Sequence, residues 1–196
     1  MKKLAKPRQN SEQNPDYMKY RWFYTSDKKL VIGGKSAEQN EQLVSELIKS
    51  GKNYILMHTK EPGSPFSIVQ SEKPTEKDLE ETAVFTGCFS RAWREKKKTT
   101  VIDIFRAVQI IKNKSMKQGT FGVAGQVKRK TIELKLYLTE QKGKIRAVPF
   151  KVEKALCIIP GNINKNDFAE QISIKLEIPQ EEVLQALPTG GFKLCS

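Results

Sequence analysis

Apolar and polar positions change period along this chain, and the changes mark out its elements. From Arg21 to Thr25 aromatic and β-branched residues run together, a composition suited to a pleated, half-buried strand. Ser26-Asp27-Lys28-Lys29 has turn chemistry, and Leu30-Val31-Ile32 returns as the partner strand before Gly33-Gly34. The period then lengthens. Ala37, Leu43, Val44, Leu47 and Ile48 form one helical stripe, opened by Ser36 and Gln39 at capping-box spacing and closed at Gly51.

Asn53 to His58 predicts a buried strand, with Ser67 to Gln70 as its neighbour across a turn holding Pro62, Gly63 and Pro65. Thr75, with Asp78 at the third position, caps a long helix expected to run through Leu79, Phe85, Phe89 and Trp93 into Lys96-Lys97-Lys98. Val101 to Phe105 is extended. Thr120 to Val127 and Thr131 to Leu138 predict an antiparallel pair joined through Lys128-Arg129-Lys130, and Ile145 to Phe150 a further strand.

The C-terminal pattern is a strand (Ala155 to Ile159, closed by Pro160-Gly161) and two helices. Asn166 is the expected cap of the first helix, and Pro179 opens the second. The expected fold is α+β: a mostly antiparallel sheet against two main helices, with a small strand–helix–helix appendage. Segments 1–16, 17–152 and 153–196 are read as a basic tail, a main domain and that appendage.

Charge changes the picture. With Lys and Arg totalling 35 against 22 Asp and Glu, the formal net charge is +13, which attracts polyanions, nucleic acid before membrane. An anionic membrane would call for a strongly apolar basic helix, whereas these cations gather in loops and at element ends. Nothing resembles a signal peptide or a membrane span, so the expected location is the cytoplasm. The odd set Cys88, Cys157 and Cys195 lacks metal-ligand spacing and reads as three reduced thiols.

Candidate chemistry is sparse. Gly33-Gly34 before a capped helix offers a phosphate cradle or simply a tight turn. It lacks the Lys-Ser/Thr of a P-loop and the third glycine of a dinucleotide fingerprint. His58 stands alone, without a nucleophile or carboxylate cluster tied to it, so no catalytic residue, cofactor or metal is assigned.

Several segments together resemble the NFACT-R domain, the RNA-binding module of fibronectin-binding-like proteins of ribosome-associated quality control. They are Arg21-Trp22-Phe23-Tyr24-Thr25-Ser26, Leu30 to Lys35 leading to Gln39-Asn40-Glu41, His58-Thr59-Lys60 with Pro62-Gly63-Ser64, Ser90 to Trp93, and Lys117 to Gly122 with Gly125. The resemblance spans Tyr17 to Phe150, and the tail from Ile159 to Gly190 is similar to the end of archaeal members. It implies the binding module alone, because the family's N-terminal domain, helix-hairpin-helix region and coiled coil have no counterpart in these 196 residues.

The expected function is a non-catalytic RNA-binding protein acting on tRNA or rRNA, or at the ribosome. DNA remains a possible polyanion, and oligomeric state is open. The expected contacts are Arg21, Trp22, Lys35, Asn40, His58, Lys60, Ser64, Arg91, Arg94, Lys96, Lys97, Lys98, Lys112, Lys114, Lys117, Lys128, Arg129 and Lys130, with Trp22 or Tyr24 as stacking platforms. Two alternatives stand beside it: an RNA-acting enzyme with a site around Asn40, His58 and Ser64, and a protein-interaction adaptor.

Overall fold

The structure is a computed structural model describing residues 16–195. The anticipated basic tail 1–16 therefore lies, apart from Asp16, outside the described residues.

The N-terminal hairpin pairs β1 (Arg21–Tyr24) with β2 (Leu30–Gly33), Arg21 opposite Gly33. Helix α1 (Ala37–Ser50) follows: the Ser36 hydroxyl accepts from the Gln39 amide, and Gly51 ends the helix at φ 68°. Strands β3 (Ile55–Thr59) and β4 (Ser67–Val69) come next, then α2 (Glu76–Cys88) and the single-turn α3 (Arg91–Arg94). At the start of α2 both halves of the Thr75–Asp78 capping box form. Asp78 also accepts from the Thr25 hydroxyl at 2.6 Å, and Glu81 from the Ser26 amide at 2.8 Å, so the hairpin turn is fastened to α2.

Strand β5 (Thr99–Arg106) is followed by the short pair β6 (Ile110–Ile111) and β7 (Gly122–Val123), then β8 (Lys128–Glu133). The main sheet is six-stranded and antiparallel throughout, in the order β1-β2-β4-β3-β5-β8. It is covered on both faces. Leu56 joins α1 residues Leu43, Val44 and Leu47 in one cluster, while its neighbours Ile55 and Met57 join Ala83 of α2 in another. That double burial is why the segment reads as a continuous apolar run rather than an alternating one.

A four-stranded sheet completes the molecule, formed by β9 (Leu136–Gln141), β10 (Lys144–Val148), β11 (Leu156–Ile163) and β12 (Phe192–Leu194) in the order β10-β9-β11-β12. Helices α4 (Lys165–Leu176) and α5 (Gln180–Ala186) lie between β11 and β12 in the chain. Their Phe168, Ile172 and Val183 share a core cluster with Leu136, Ile158 and Trp93. The buried Trp93 indole donates to the Gly191 carbonyl at 3.0 Å, and its ring sits 5.6 Å from Phe192.

The α+β class is as expected, with local differences. The long helix breaks at Phe89-Ser90, where the Ser90 hydroxyl caps a new turn; the apolar face simply continues across the break. Lys128-Arg129-Lys130 is strand rather than loop, because it pairs with Ile102–Ile104 of β5. The C-terminal part gains β12, and β11 runs on past Pro160-Gly161 with a register shift. Asn164, not Asn166, caps α4, accepting from the Asp167 amide at 3.0 Å.

The reduced-thiol expectation is corrected. Cys157 and Cys195 form a disulfide, brought to a Cα separation of 5.4 Å by β11–β12 pairing, while Cys88 is free and buried. Burial pushes the Cys88 thiol up. Among the described residues no helix is long and apolar enough to cross a membrane.

Candidate nucleic-acid interface

The Gly33-Gly34 turn sits where the end of β2 leads into α1, and its tightness has a local cause. A Cβ at Gly34 would lie 2.2 Å from the Asn40 side-chain oxygen. That oxygen accepts from the Phe66 amide at 3.1 Å. The Ser64 hydroxyl accepts from the Thr59 amide at 2.9 Å, pinning the Pro62-Gly63-Ser64-Pro65 turn back onto β3. Two predicted site residues thus hold backbone in place around the mouth of one cleft.

The cleft has a volume of about 580 Å³. Its walls come from the Gly-Gly turn, the β3–β4 turn, β5 and the segment Gln118 to Val123. The floor is aromatic: Phe66 lies 4.5 Å from the His58 ring, 5.3 Å from Phe121 and 6.3 Å from Phe105 between ring centroids, with Phe66 and Phe105 buried beneath the half-buried His58 and Phe121. Exposed Lys35 and Lys60 and half-buried Arg21 also line the cleft. The outer wall is drawn in by Glu41 on α1, which accepts from the Gly119 amide at 2.8 Å and from Lys112 at 2.7 Å. Gly119 sits at φ 73° with Ala37 against it, a place where a Cβ would fall 2.7 Å from the Ala37 carbonyl oxygen.

His58 is half-buried. Its Nδ1 lies 2.6 Å from the Thr59 carbonyl, so Nδ1 carries the proton and Nε2 is left as an acceptor. Burial lowers its pKa from the ordinary 6.5, against the opposing pull of that carbonyl and of Asp103, so the ring is neutral at pH 7. Asn40 and Ser64 line the same cleft, but their polar atoms are engaged by backbone groups rather than by His58.

The sequence-predicted residues divide by location. Arg21, Lys35, Asn40, His58, Lys60 and Ser64 converge on the cleft. Arg91 and Arg94 line an adjoining hollow with Gly63, Phe89 and Thr189. Lys96, Lys97 and Lys98 line a separate one with Lys135, Asn162 and Lys193, and Lys97 is paired with Glu61 at 2.9 Å and Glu95 at 3.1 Å.

Lys112 is held by Glu41 and by the carbonyls of Lys117 and Thr120. Lys114 and Lys117 are exposed in the following loop, and Lys128 is exposed on β8. Arg129 pairs with Asp103 at 2.9 Å and Lys130 with Glu80 at 2.5 Å.

Trp22 is the clear correction. It is 2% exposed, with Arg146 over its ring at 4.4 Å, so it has no free face for a base. Tyr24 packs edge-on against Trp22 and Tyr17, away from the cleft. The aromatic floor was missed because Phe66, Phe105 and Phe121 come from three elements and read singly as core.

The chain belongs to the family described as NFACT protein RNA binding domain, which matches residues 19–125. It is 28% identical over 199 residues to the archaeal Rqc2 homolog aRqcH of Methanocaldococcus jannaschii, covering 91% of this chain and 29% of that protein. The chain therefore spans under a third of that relative's length. The C-terminal part of the fibronectin/fibrinogen-binding protein from Streptococcus suis has a similar fold, with a TM-score of 0.50 and 23% identity over 64% of this chain and 49% of that one.

Proposed function

We propose that the chain is a non-catalytic RNA-binding module acting in ribosome quality control, and that the cleft between the Gly-Gly turn and the Gln118–Val123 wall is where RNA binds. The observation that carries this reading is the pairing of three cations (Arg21, Lys35, Lys60) with the half-buried Phe121 ring, backed by the buried Phe66, in one cleft. Phosphates are held by the first and bases by the second, the combination that single-stranded RNA requires. Membership of an RNA-binding-domain family and likeness to an Rqc2 homolog support it. The preferred RNA is tRNA or rRNA in single-stranded or distorted form.

Exposed Arg91, Arg94 and Lys117 flank the cleft and extend its positive field. With about five phosphates neutralised, log K falls against log salt with a slope of about −3.5 on single strands. Titration of a labelled oligouridylate over a salt series tests this, alongside the K60Q and F121A variants. Both variants bind more weakly, and K60Q also has the shallower slope. Salt-independent affinity, or wild-type affinity in both variants, removes the proposal.

A further inference from the structure

Beside the cleft, three cations line one small hollow, and a fourth, Lys165, lies within range of the Arg21 charge. Arg21 comes from β1, Lys35 from the turn before α1, Arg146 from β10 and Lys165 from the first turn of α4. Arg21, Lys35 and Arg146 line a small hollow of about 10 Å³ with Phe85, Phe89 and Gln185, room for one water-sized atom. Arg21, Lys35 and Phe89 also line the cleft, so the two spaces share a wall. Among the described residues none of the four cations is in an ion pair. The Nε atoms of Arg21 and Arg146 are buried donors with no acceptor.

Each guanidinium is backed by a ring, Arg21 over Phe89 at 4.9 Å and Arg146 over Trp22 at 4.4 Å, which fixes both planes. Lys165 donates to the Leu187 carbonyl at 3.1 Å. The acids nearby are Glu181 and Glu182 on α5, which oppose the strain on Lys165 and Arg146 without pairing with either. Burial lowers Arg21 to about 10, still protonated at neutral pH. Burial and then the Arg21 charge lower Lys165, and burial, Arg21 and Arg146 together lower Lys35. Two partly desolvated guanidiniums with buried donors unanswered and further cations near them are costly unless an anion answers them.

We propose that Arg21, Lys35, Arg146 and Lys165 form an oxyanion site that takes one phosphate group of the RNA lying in the cleft. This assignment rests on the RNA reading of that cleft. One phosphoryl oxygen sits at the hollow against the Arg21 and Arg146 guanidiniums, and Lys35 and Lys165 neutralise the remaining charge. Arg146 and Lys165 lie outside residues 19–125, so the C-terminal segment completes a site that the matched region alone leaves open.

The test uses the full chain and the variants R146Q, K165Q and their double, with R146K as the conservative control and thermal melts to confirm folding. The probes are a labelled oligouridylate with and without a 5′-phosphate, and inorganic phosphate followed by thermal shift. The double variant is expected to bind RNA about tenfold or more weakly, with a salt slope shallower by about 0.7. A preference for the 5′-phosphorylated strand, lost in the double variant, assigns the site to a terminal phosphate; equal loss on both strands assigns it to an internal phosphodiester.

A folded double variant with wild-type affinity and slope overturns the site while leaving RNA in the cleft. If the wild type binds no RNA, the cleft reading fails. The oxyanion site then stands only if inorganic phosphate stabilises the wild type and not the double variant; if it stabilises neither, the site falls too.

Discussion

The Glu41 carboxylate and the Lys112 ammonium lie 2.7 Å apart, and that contact joins α1 to the outer wall of the cleft. The same Glu41 oxygen accepts from Gly119, and Lys112 reaches the carbonyls of Lys117 and Thr120 and covers the Phe121 ring at 4.7 Å. One ion pair therefore organises the segment that carries the exposed edge of the aromatic floor. Replacing Glu41 with Ala leaves Lys112 without its anion and the Gly119 amide unanswered. The expected cost is about 1–2 kcal/mol, with faster hydrogen exchange at Gly119 and weaker RNA binding. Unchanged exchange at Gly119 would show that the wall is held by something else.

His58 gives the molecule a readable pH signature, since the chain has one histidine. Its folded pKa is lowered by burial from 6.5, so the unfolded chain takes up the proton first as pH falls. Stability from this group is complete above that value and is lost as pH falls toward the folded one. Denaturant unfolding at about pH 7.5 and about pH 5.5 should show the loss, and H58Q should flatten it. A slope retained in H58Q assigns the effect to other groups.

Gly34 is predicted to be intolerant of any side chain. A methyl group there meets the Asn40 oxygen at 2.2 Å and the Asn40 amide nitrogen at 2.8 Å, both parts of the frame around the cleft mouth. G34A should cost about 1–3 kcal/mol and reduce affinity beyond what its stability loss explains. A fully stable G34A would mean that the turn and Asn40 are not locked together.

The Cys157–Cys195 bond closes a loop of 38 residues that contains α4 and α5. By chain entropy such a closure stabilises by about 4 kcal/mol. Reduction, or C195S, should lower the melting temperature and release β12 while leaving the Thr75-capped α2 intact. Cys88 should resist alkylation until the protein unfolds, because its thiol is buried and its pKa raised. Equal stability of oxidised and reduced protein would contradict this.

Much of the local architecture is legible in the sequence. The hairpin from Arg21 to Gly33, the Ser36 and Thr75 caps, the Gly51 stop and the doubly buried β3 are each specified by residues close to one another. Illegible features depend on partners far along the chain. Lys128-Arg129-Lys130 looks like a loop until β5 pairs with it, and Cys157 finds Cys195 only once β11 meets β12. The cleft follows the same division: its rim stands in short motifs, while the floor of Phe66, Phe105 and Phe121 exists only after folding. Trp22 misled because an aromatic on a strand looks the same whether its face is open or covered by Arg146.

The claim at the centre of the account is that RNA lies in the cleft, on the aromatic floor. Ultraviolet crosslinking of the intact protein to uridine-rich RNA, followed by mass spectrometry of the adducts, tests it directly. The account predicts adducts on peptides carrying His58 to Phe66 and Gln118 to Val123. Adducts confined to the hollow lined by Lys96, Lys97, Lys98 and Lys193, with none on those two segments, would contradict it.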